Sequence, residues 1–416
     1  MYTILRRHII QIGLKHLLIL LLPILTSCLS TSFDISPSGT HEQLGTRRFQ
    51  LDDPRGLVVQ AWYPATGVGT NRLDPIIEKN QAEAYVRFLP VIEQRFEERL
   101  KSNSYVDAPL NVSGAPYPVI IFDHGYGAFE KQNVSQMEEL ASNGYIVFSI
   151  NHPGESYVTL YPDGSIGGVD SYRYPSMTAD NRKERKKRED LTREFFQVFQ
   201  AAENDNELIA SMRMFSQFDY ITPLERPIAE RTQDILNFMS ALVRMNDSGF
   251  FKDGLDLDNV GMYGHSMGGN VSNNVGGMGD WPVSLKAIAN LDGPQLLFPG
   301  QPLIVPQVPF LMAYSEAAYT GGEILDLSGC NDWILNMSDK ETWRVVFHDS
   351  AHANFSDLTY VKILEGNTTG DIDGREMGIA LERLLLAWFD RHLKGREVDL
   401  VKLKDFYSGW ELTFKK

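Results

Sequence analysis

A serine framed by small residues is the first chemistry-bearing feature of this sequence. Gly264-His265-Ser266-Met267-Gly268 follows a short apolar run, Val260-Gly261-Met262-Tyr263, and leads into Gly269-Asn270-Val271. That context predicts a nucleophile elbow, in which a strand ends, turns sharply and enters a helix. Small residues two before and two after the serine suit a strained turn that packs closely on its neighbours. Such a turn lifts the Ser266 hydroxyl out of the core and leaves nearby N–H groups able to meet a developing oxyanion.

A serine nucleophile needs a base to take its proton and an acid to orient that base. The chain has nine histidines. His8 and His16 lie in the N-terminal leader, His41 in the segment after it and His392 near the end of a C-terminal helix. His265 sits inside the elbow, where its side chain should point away from the hydroxyl. His124 and His152 follow early strands, where loop-shaping roles are expected, and His348 belongs to a strand end. His352 remains, in Asp349-Ser350-Ala351-His352-Ala353-Asn354-Phe355, after the last expected strand and before the C-terminal helix. The chain order serine, acid, histidine fits it. Two carboxylates compete for the third role. Asp292 ends one expected strand and Glu316 the next, and spacing alone does not choose between them.

These groups require a scaffold. Leu57 to Tyr63, Val119 to Phe122, Tyr145 to Ile150, Leu285 to Ala289, Phe310 to Tyr314 and Trp343 to Phe347 read as strands. Val134 to Asn143, Pro227 to Met245 and Arg375 to Leu393 read as helices between or after them. This alternation predicts an α/β fold with a mostly parallel central sheet and helices on both faces. Ligands then bind at the carboxyl ends of the strands, where the elbow, the Asp123-His124-Gly125 loop and the His352 loop all fall. Residues 157–225 break the pattern and are expected to form an inserted helical cap. The run Arg182 to Arg188 and the apolar positions Leu191, Phe195, Phe196 and Phe199 fit either a cap that touches lipid or polymer, or an ordinary packed helix with a solvated basic face.

The N-terminus predicts export. Residues 1–27 carry Arg6, Arg7 and Lys15, no acidic group, and an apolar stretch from Leu17 to Leu22. They end in Leu25-Thr26-Ser27-Cys28, which resembles a bacterial lipobox with Cys28 as the lipidated residue; an ordinary signal peptide with an incidental cysteine is the alternative. Residues 28–45 would be a tether and 46–416 the catalytic domain. Loss of the leader takes the net charge from −15 to −18, which excludes phosphate-backbone binding as a main function, so no nucleic-acid partner is expected. Cys330 is the only other cysteine, so the mature domain must rely on its core rather than on a disulfide. Asp371-Ile372-Asp373-Gly374 has the look of a calcium-loop fragment but lacks the spaced ligands and closing glutamate. No Cys/His set has zinc spacing, and no cofactor is expected.

Four motifs in order, Phe122-Asp123-His124-Gly125-Tyr126-Gly127-Ala128-Phe129, Gly264-His265-Ser266-Met267-Gly268-Gly269, Leu291-Asp292 and His352-Ala353-Asn354-Phe355, resemble the platelet-activating factor acetylhydrolases and their bacterial relatives. The resemblance spans about Val58 to Tyr360 apart from the cap. It implies an α/β-hydrolase fold, Asp292 as the acid, His352 as the base, and the backbone N–H groups of Tyr126 and Met267 as oxyanion donors. It also implies a metal-free hydrolase of short or oxidised acyl esters, notably at the second position of phospholipids. Animal members typically have leucine at Tyr126, an aromatic residue at Met267 and bulkier residues at Gly293-Pro294, all positions expected to border the acyl pocket. Other readings are a dienelactone- or polyester-hydrolase-like esterase and a surface lipoprotein that binds without catalysis. A prolyl-oligopeptidase-type peptidase fits poorly, because the chain has no propeller-sized N-terminal domain.

Overall fold

The computed structural model describes residues 36–79, 81, 102–174, 185–320, 323–360 and 369–415. The leader, Cys28, and Arg182 to Glu184 of the basic run lie outside the described residues. The elements in chain order are β1 (Leu44–Gln50), β2 (Val58–Pro64), β3 (Ser104–Val106), β4 (Tyr117–Asp123), α1 (Val134–Ser142) and β5 (Ile146–Asn151). The cap region follows with β6 (Val158–Leu160), β7 (Ile166–Gly168), α2 (Arg185–Gln200) and α3 (Asp205–Ser216). Next come α4 (Glu225–Asp247), β8 (Leu255–His265), α5 (Met267–Met278), β9 (Leu285–Leu291), β10 (Phe310–Thr320) and β11 (Glu323–Leu325). The chain closes with α6 (Asp332–Met337), β12 (Thr342–Ala351), α7 (Gly374–Leu393), α8 (Leu400–Phe406) and β13 (Trp410–Lys415).

One large sheet runs in the order β13-β12-β10-β9-β8-β4-β5-β2-β1-β3, with β11 beside β10. From β12 to β5 all neighbours are parallel, whereas β13, β2 and β1 add antiparallel margins. This is the α/β-hydrolase fold. The continuous apolar strands have a direct cause in the pleat, which sends successive side chains to opposite faces. Val119 and Ile121 of β4 enter one core with α4, α5 and the cap, while Ile120 and Phe122 enter the other with α1 and α7. On that second face Trp388 is fully buried and donates its indole N–H to the Ile288 carbonyl at 3.1 Å.

Two expectations need correction, and the fragment at Asp371 to Gly374 finds its place. The folded domain starts before residue 46, because β1 begins at Leu44 and Ser38 already bonds Glu139 through its amide at 2.7 Å. The strand ahead of His352 is not the last, since β13 pairs antiparallel with β12. The calcium-like fragment is a helix cap, in which Asp373 accepts from the amides of Arg375 (2.9 Å) and Glu376 (3.1 Å). In the cap region, Phe195 of α2 stacks on Phe215 of α3 with ring centroids 4.6 Å apart, and Lys187 pairs with Asp219 at 2.6 Å. The described part of the basic helix is thus packed by its apolar face.

Asp357 sits just beyond the His352 loop, buried, accepting from the Ser135 hydroxyl at 2.6 Å. Burial pushes its carboxyl up to about 7 despite the Ser135 bonds. A carboxyl held above its unfolded value binds its proton more tightly when folded, so its contribution to stability is lost as pH rises from about 4 to about 7. Asp357→Asn keeps the acceptor and removes the titration. The stability of wild type relative to this variant should fall by about 2–4 kcal/mol between pH 4 and 8 in urea unfolding.

Candidate active site

β8 ends at His265 and α5 begins at Met267, which leaves Ser266 alone between them with φ 56° and ψ −118°. This is a strained conformation for a residue with a side chain, and it persists only where the surroundings enforce it. They do so on both sides. The Ser266 amide donates to the Leu291 carbonyl at 2.9 Å. A Cβ at Gly264 would overlap the Gly268 backbone, and one at Gly268 would overlap the Asp123 carbonyl. The two glycines therefore let α5 sit directly against the ends of β4 and β8.

His352 lies on the short 3-10 turn after β12. Its Nε2 is 2.9 Å from Ser266 Oγ, and its Nδ1 is 2.7 Å from Asp292 Oδ2. Asp292 ends the strand next to β8, itself at φ 57°, and its other oxygen accepts from the Ser315 amide at 2.7 Å. The Ser315 hydroxyl adds a bond to Oδ2 at 2.7 Å. Burial opposes ionisation of Asp292, but His352 and Ser315 outweigh it and hold the carboxyl below its usual range. An ionised Asp292 accepts from Nδ1–H and leaves Nε2 to accept the serine proton. Glu316 is elsewhere. It bonds His348 Nδ1 at 2.6 Å and the Asp349 amide at 2.8 Å, so the alternative acid is corrected to a partner of His348.

His265 does turn away from the hydroxyl, and it has its own task. Its Nε2 bonds the His352 carbonyl at 3.0 Å and its ring lies 4.6 Å from that of His352. Burial, then His352, lowers its imidazole to about 3, so it stays neutral. Nε2–H then donates, and Nδ1 accepts from the Gln132 amide at 2.6 Å. Gln132 in turn accepts from the Gly125 amide at 2.7 Å. The base loop and the Gly125 loop are thereby joined through two side chains.

Ser266, Asp292 and His352 open into a cavity of about 230 Å³ that Tyr126 and Met267 also border. Met267 is the first residue of α5, a position whose N–H has no acceptor within its own helix. The far wall comes from the cap through Phe215, Ile221 and Leu224, and Leu296 and Leu327 complete an apolar lining with Pro294. Gly293 is not part of that wall. It belongs to the turn beneath Ser266, with its amide on Asn290 Oδ1 at 2.8 Å and no room for a Cβ beside the Ser266 carbonyl. Cys330 borders the cavity as a buried thiol, pushed far up by burial and then by Asp292. Among the described residues, no group of His, Cys, Asp and Glu is placed to hold a metal ion.

Residues 79–407 match the family described as "Platelet-activating factor acetylhydrolase, isoform II". The chain belongs to that family. Similar curated members are the platelet-activating factor acetylhydrolases of Canis lupus familiaris, 26% identical over 69% of this chain and 59% of the relative, and of Gallus gallus, 21% identical over 72% and 65%. That of Bos taurus is 26% identical over 68% and 58%. The chain thus spans less than two thirds of the length of these relatives. Among solved structures, a ferulic acid esterase from Streptomyces cinnamoneus superposes with a TM-score of 0.60 at 20% identity, covering 93% of this chain and all of that one, a likeness of fold.

Within this platelet-activating factor acetylhydrolase family member, a second cluster went unread in the sequence. Arg231, Glu155, His152 and Asp234 meet Asp123 and His124 at the end of β4. The available signal was the Arg231/Asp234 pair on one face of α4, set among the apolar Ile228 and Ile235.

The geometry separates the two carboxylates. Asp292→Asn should slow labelling of Ser266 by a fluorophosphonate at least about a thousandfold, because an amide no longer holds the base tautomer. Glu316→Gln should leave the labelling rate within about threefold of wild type. Intact-protein mass spectrometry over time measures both.

Proposed function

We propose that this chain is a serine carboxylic ester hydrolase that works through an acyl-enzyme. The observation that carries the reading is the continuous chain Asp292–His352–Ser266, with both bonds at hydrogen-bond length on a strained serine elbow. His352 takes the Ser266 proton as Oγ attacks an ester carbonyl, and Asp292 stabilises the imidazolium that forms. The oxyanion is met by the N–H groups of Met267 and Tyr126. The imidazolium then protonates the leaving alcohol, and water activated by the same histidine releases the acid.

The substrates are short-chain or oxidised acyl esters, with the second-position ester of phospholipids among them. Membership of the family supports this class. The cavity supports it too, since about 230 Å³ lies below the ~300 Å³ at which ligand pockets usually begin, and its lining is apolar. We further propose that the protein is exported and held at a membrane of the cell envelope by lipid on Cys28, on the strength of Leu25-Thr26-Ser27-Cys28.

Ser266→Ala should abolish hydrolysis of p-nitrophenyl acetate, by about a millionfold in kcat for loss of such a nucleophile. Survival of activity would sink the mechanism, and failure of wild type to cleave any ester or to label with a fluorophosphonate would leave a binding protein. Across a panel from two to sixteen acyl carbons with varied alcohols, kcat/KM should peak at the short end. For the anchor, an alkyne fatty acid fed to expressing cells should label the wild-type protein and not Cys28→Ser.

A further inference from the structure

The loop that bears Tyr126 is gripped by a buried ionic cluster that no step of the reaction above uses. Arg231 of α4 is fully buried. Its Nη1 donates to Asp123 Oδ1 at 2.8 Å and to the His124 carbonyl at 2.6 Å, and its Nε donates to Glu155 at 2.7 Å. His152 lies between Asp123 at 3.0 Å and Asp234 at 2.7 Å, and Arg55 reaches Asp234 at 2.9 Å. Burial and Arg231 oppose a charge on His152, but Asp123 and Asp234 outweigh them and raise its imidazole. Arg231, Arg55 and the His152 imidazole then face the carboxylates of Asp123, Glu155 and Asp234. Desolvating such a set costs several kcal/mol per ion, and apolar residues of like volume would hold a fold as well. What apolar residues could not do is direct a peptide group.

That peptide joins Gly125 to Tyr126. Its carbonyl lies 2.8 Å from His124 Nδ1, and Arg231 Nη2 lies 3.5 Å from that carbonyl and 3.3 Å from Nδ1. Burial, then Arg231, keeps the His124 imidazole neutral. With Nδ1 carrying the proton, Nε2 accepts from the Ser156 hydroxyl at 3.0 Å. A trans peptide holds its C=O and N–H on opposite sides of one plane. A carbonyl turned to His124 and Arg231 therefore turns the Tyr126 N–H away from them, and Tyr126 and Ser266 border the same cavity. The Gly125 amide, fixed on Gln132, stops the loop from rotating as a unit.

We propose that His124 is the positioning residue for the oxyanion donor at Tyr126, with Arg231 and Ser156 setting its ring and its loop. The idea rests on the acyl-transfer reading and on Tyr126 as a donor. It places one catalytic requirement on α4, the helix that leaves the cap. A donor aimed before substrate arrives stabilises charge that appears only in the transition state, so its loss should fall on kcat and spare KM.

The test compares His124→Leu, which removes the Nδ1 donor, with His124→Asn, whose side-chain amide can replace it. For a short p-nitrophenyl ester, His124→Leu should lower kcat about a hundredfold with KM within about threefold of wild type. The inhibition constant of an alkyl trifluoromethyl ketone, which forms a charged adduct on serine, should rise in proportion, while that of the plain methyl ketone stays put. His124→Asn should return to within about tenfold of wild type, and Arg231→Lys should fall between the two. Wild-type kcat in folded His124→Leu, equal damage in both variants, or a ketone constant that does not follow kcat would each overturn the proposal. If His124→Leu does not fold, Ser156→Ala serves, with about a tenfold loss in kcat expected and no loss overturning the idea. Ser266→Ala separates the failures. Activity lost there but kept in His124→Leu removes only the positioning role, whereas activity kept in Ser266→Ala removes the reaction itself.

Discussion

The backbone of Ser266 is the constraint on which the rest depends. A side-chain-bearing residue at φ 56° and ψ −118° is unfavourable by itself, by about 1–3 kcal/mol. It holds because β8 is locked between β4 and β9, and because α5 starts so close to the sheet that a methyl group at Gly264 or Gly268 would not fit. Everything reactive is referred to that point. His352 approaches from the turn after β12, Asp292 from the adjoining strand end, and the Gly125 loop from the end of β4. Each of these comes from the carboxyl edge of a different strand, so the register of the sheet sets their separations.

What could be read from the chain divides along the same physical line. Ser266 was legible because an elbow is local, written in a few consecutive residues. His352 was legible because the fold leaves few loops in which a base can lie. Asp292 follows the end of β9 while Glu316 lies at an irregularity within the neighbouring β10, and linear spacing has no term for which of the two faces the histidine. In the structure Asp292 is held by the Ser315 amide and hydroxyl and faces His352, while Glu316 turns to His348. The parallel centre of the sheet was visible as apolar runs, buried on both faces. Its margins were not. β1 is polar along much of its length, and β13 carries only Trp410 and Leu412 on its buried side.

The cluster around Arg231 lay beyond reach for a different reason. Its ion pairs join residues 108 and 76 positions apart, and buried charge leaves no periodic trace beyond a break in an apolar stripe. His124 and His152 were expected to shape loops, and the structure gives that phrase a definite content. One imidazole lies against the Gly125 carbonyl and the other bridges Asp123 and Asp234.

The cavity wall has a further consequence. The groups around Ser266 belong to the sheet, but Phe215, Ile221 and Leu224 opposite them belong to one uninterrupted insertion between β5 and α4. The wall can therefore be altered in residues 205–224 without touching the Asp292–His352–Ser266 hydrogen bonds, whereas His152, Glu155 and Ser156 at the start of the same stretch are tied to the Gly125 loop.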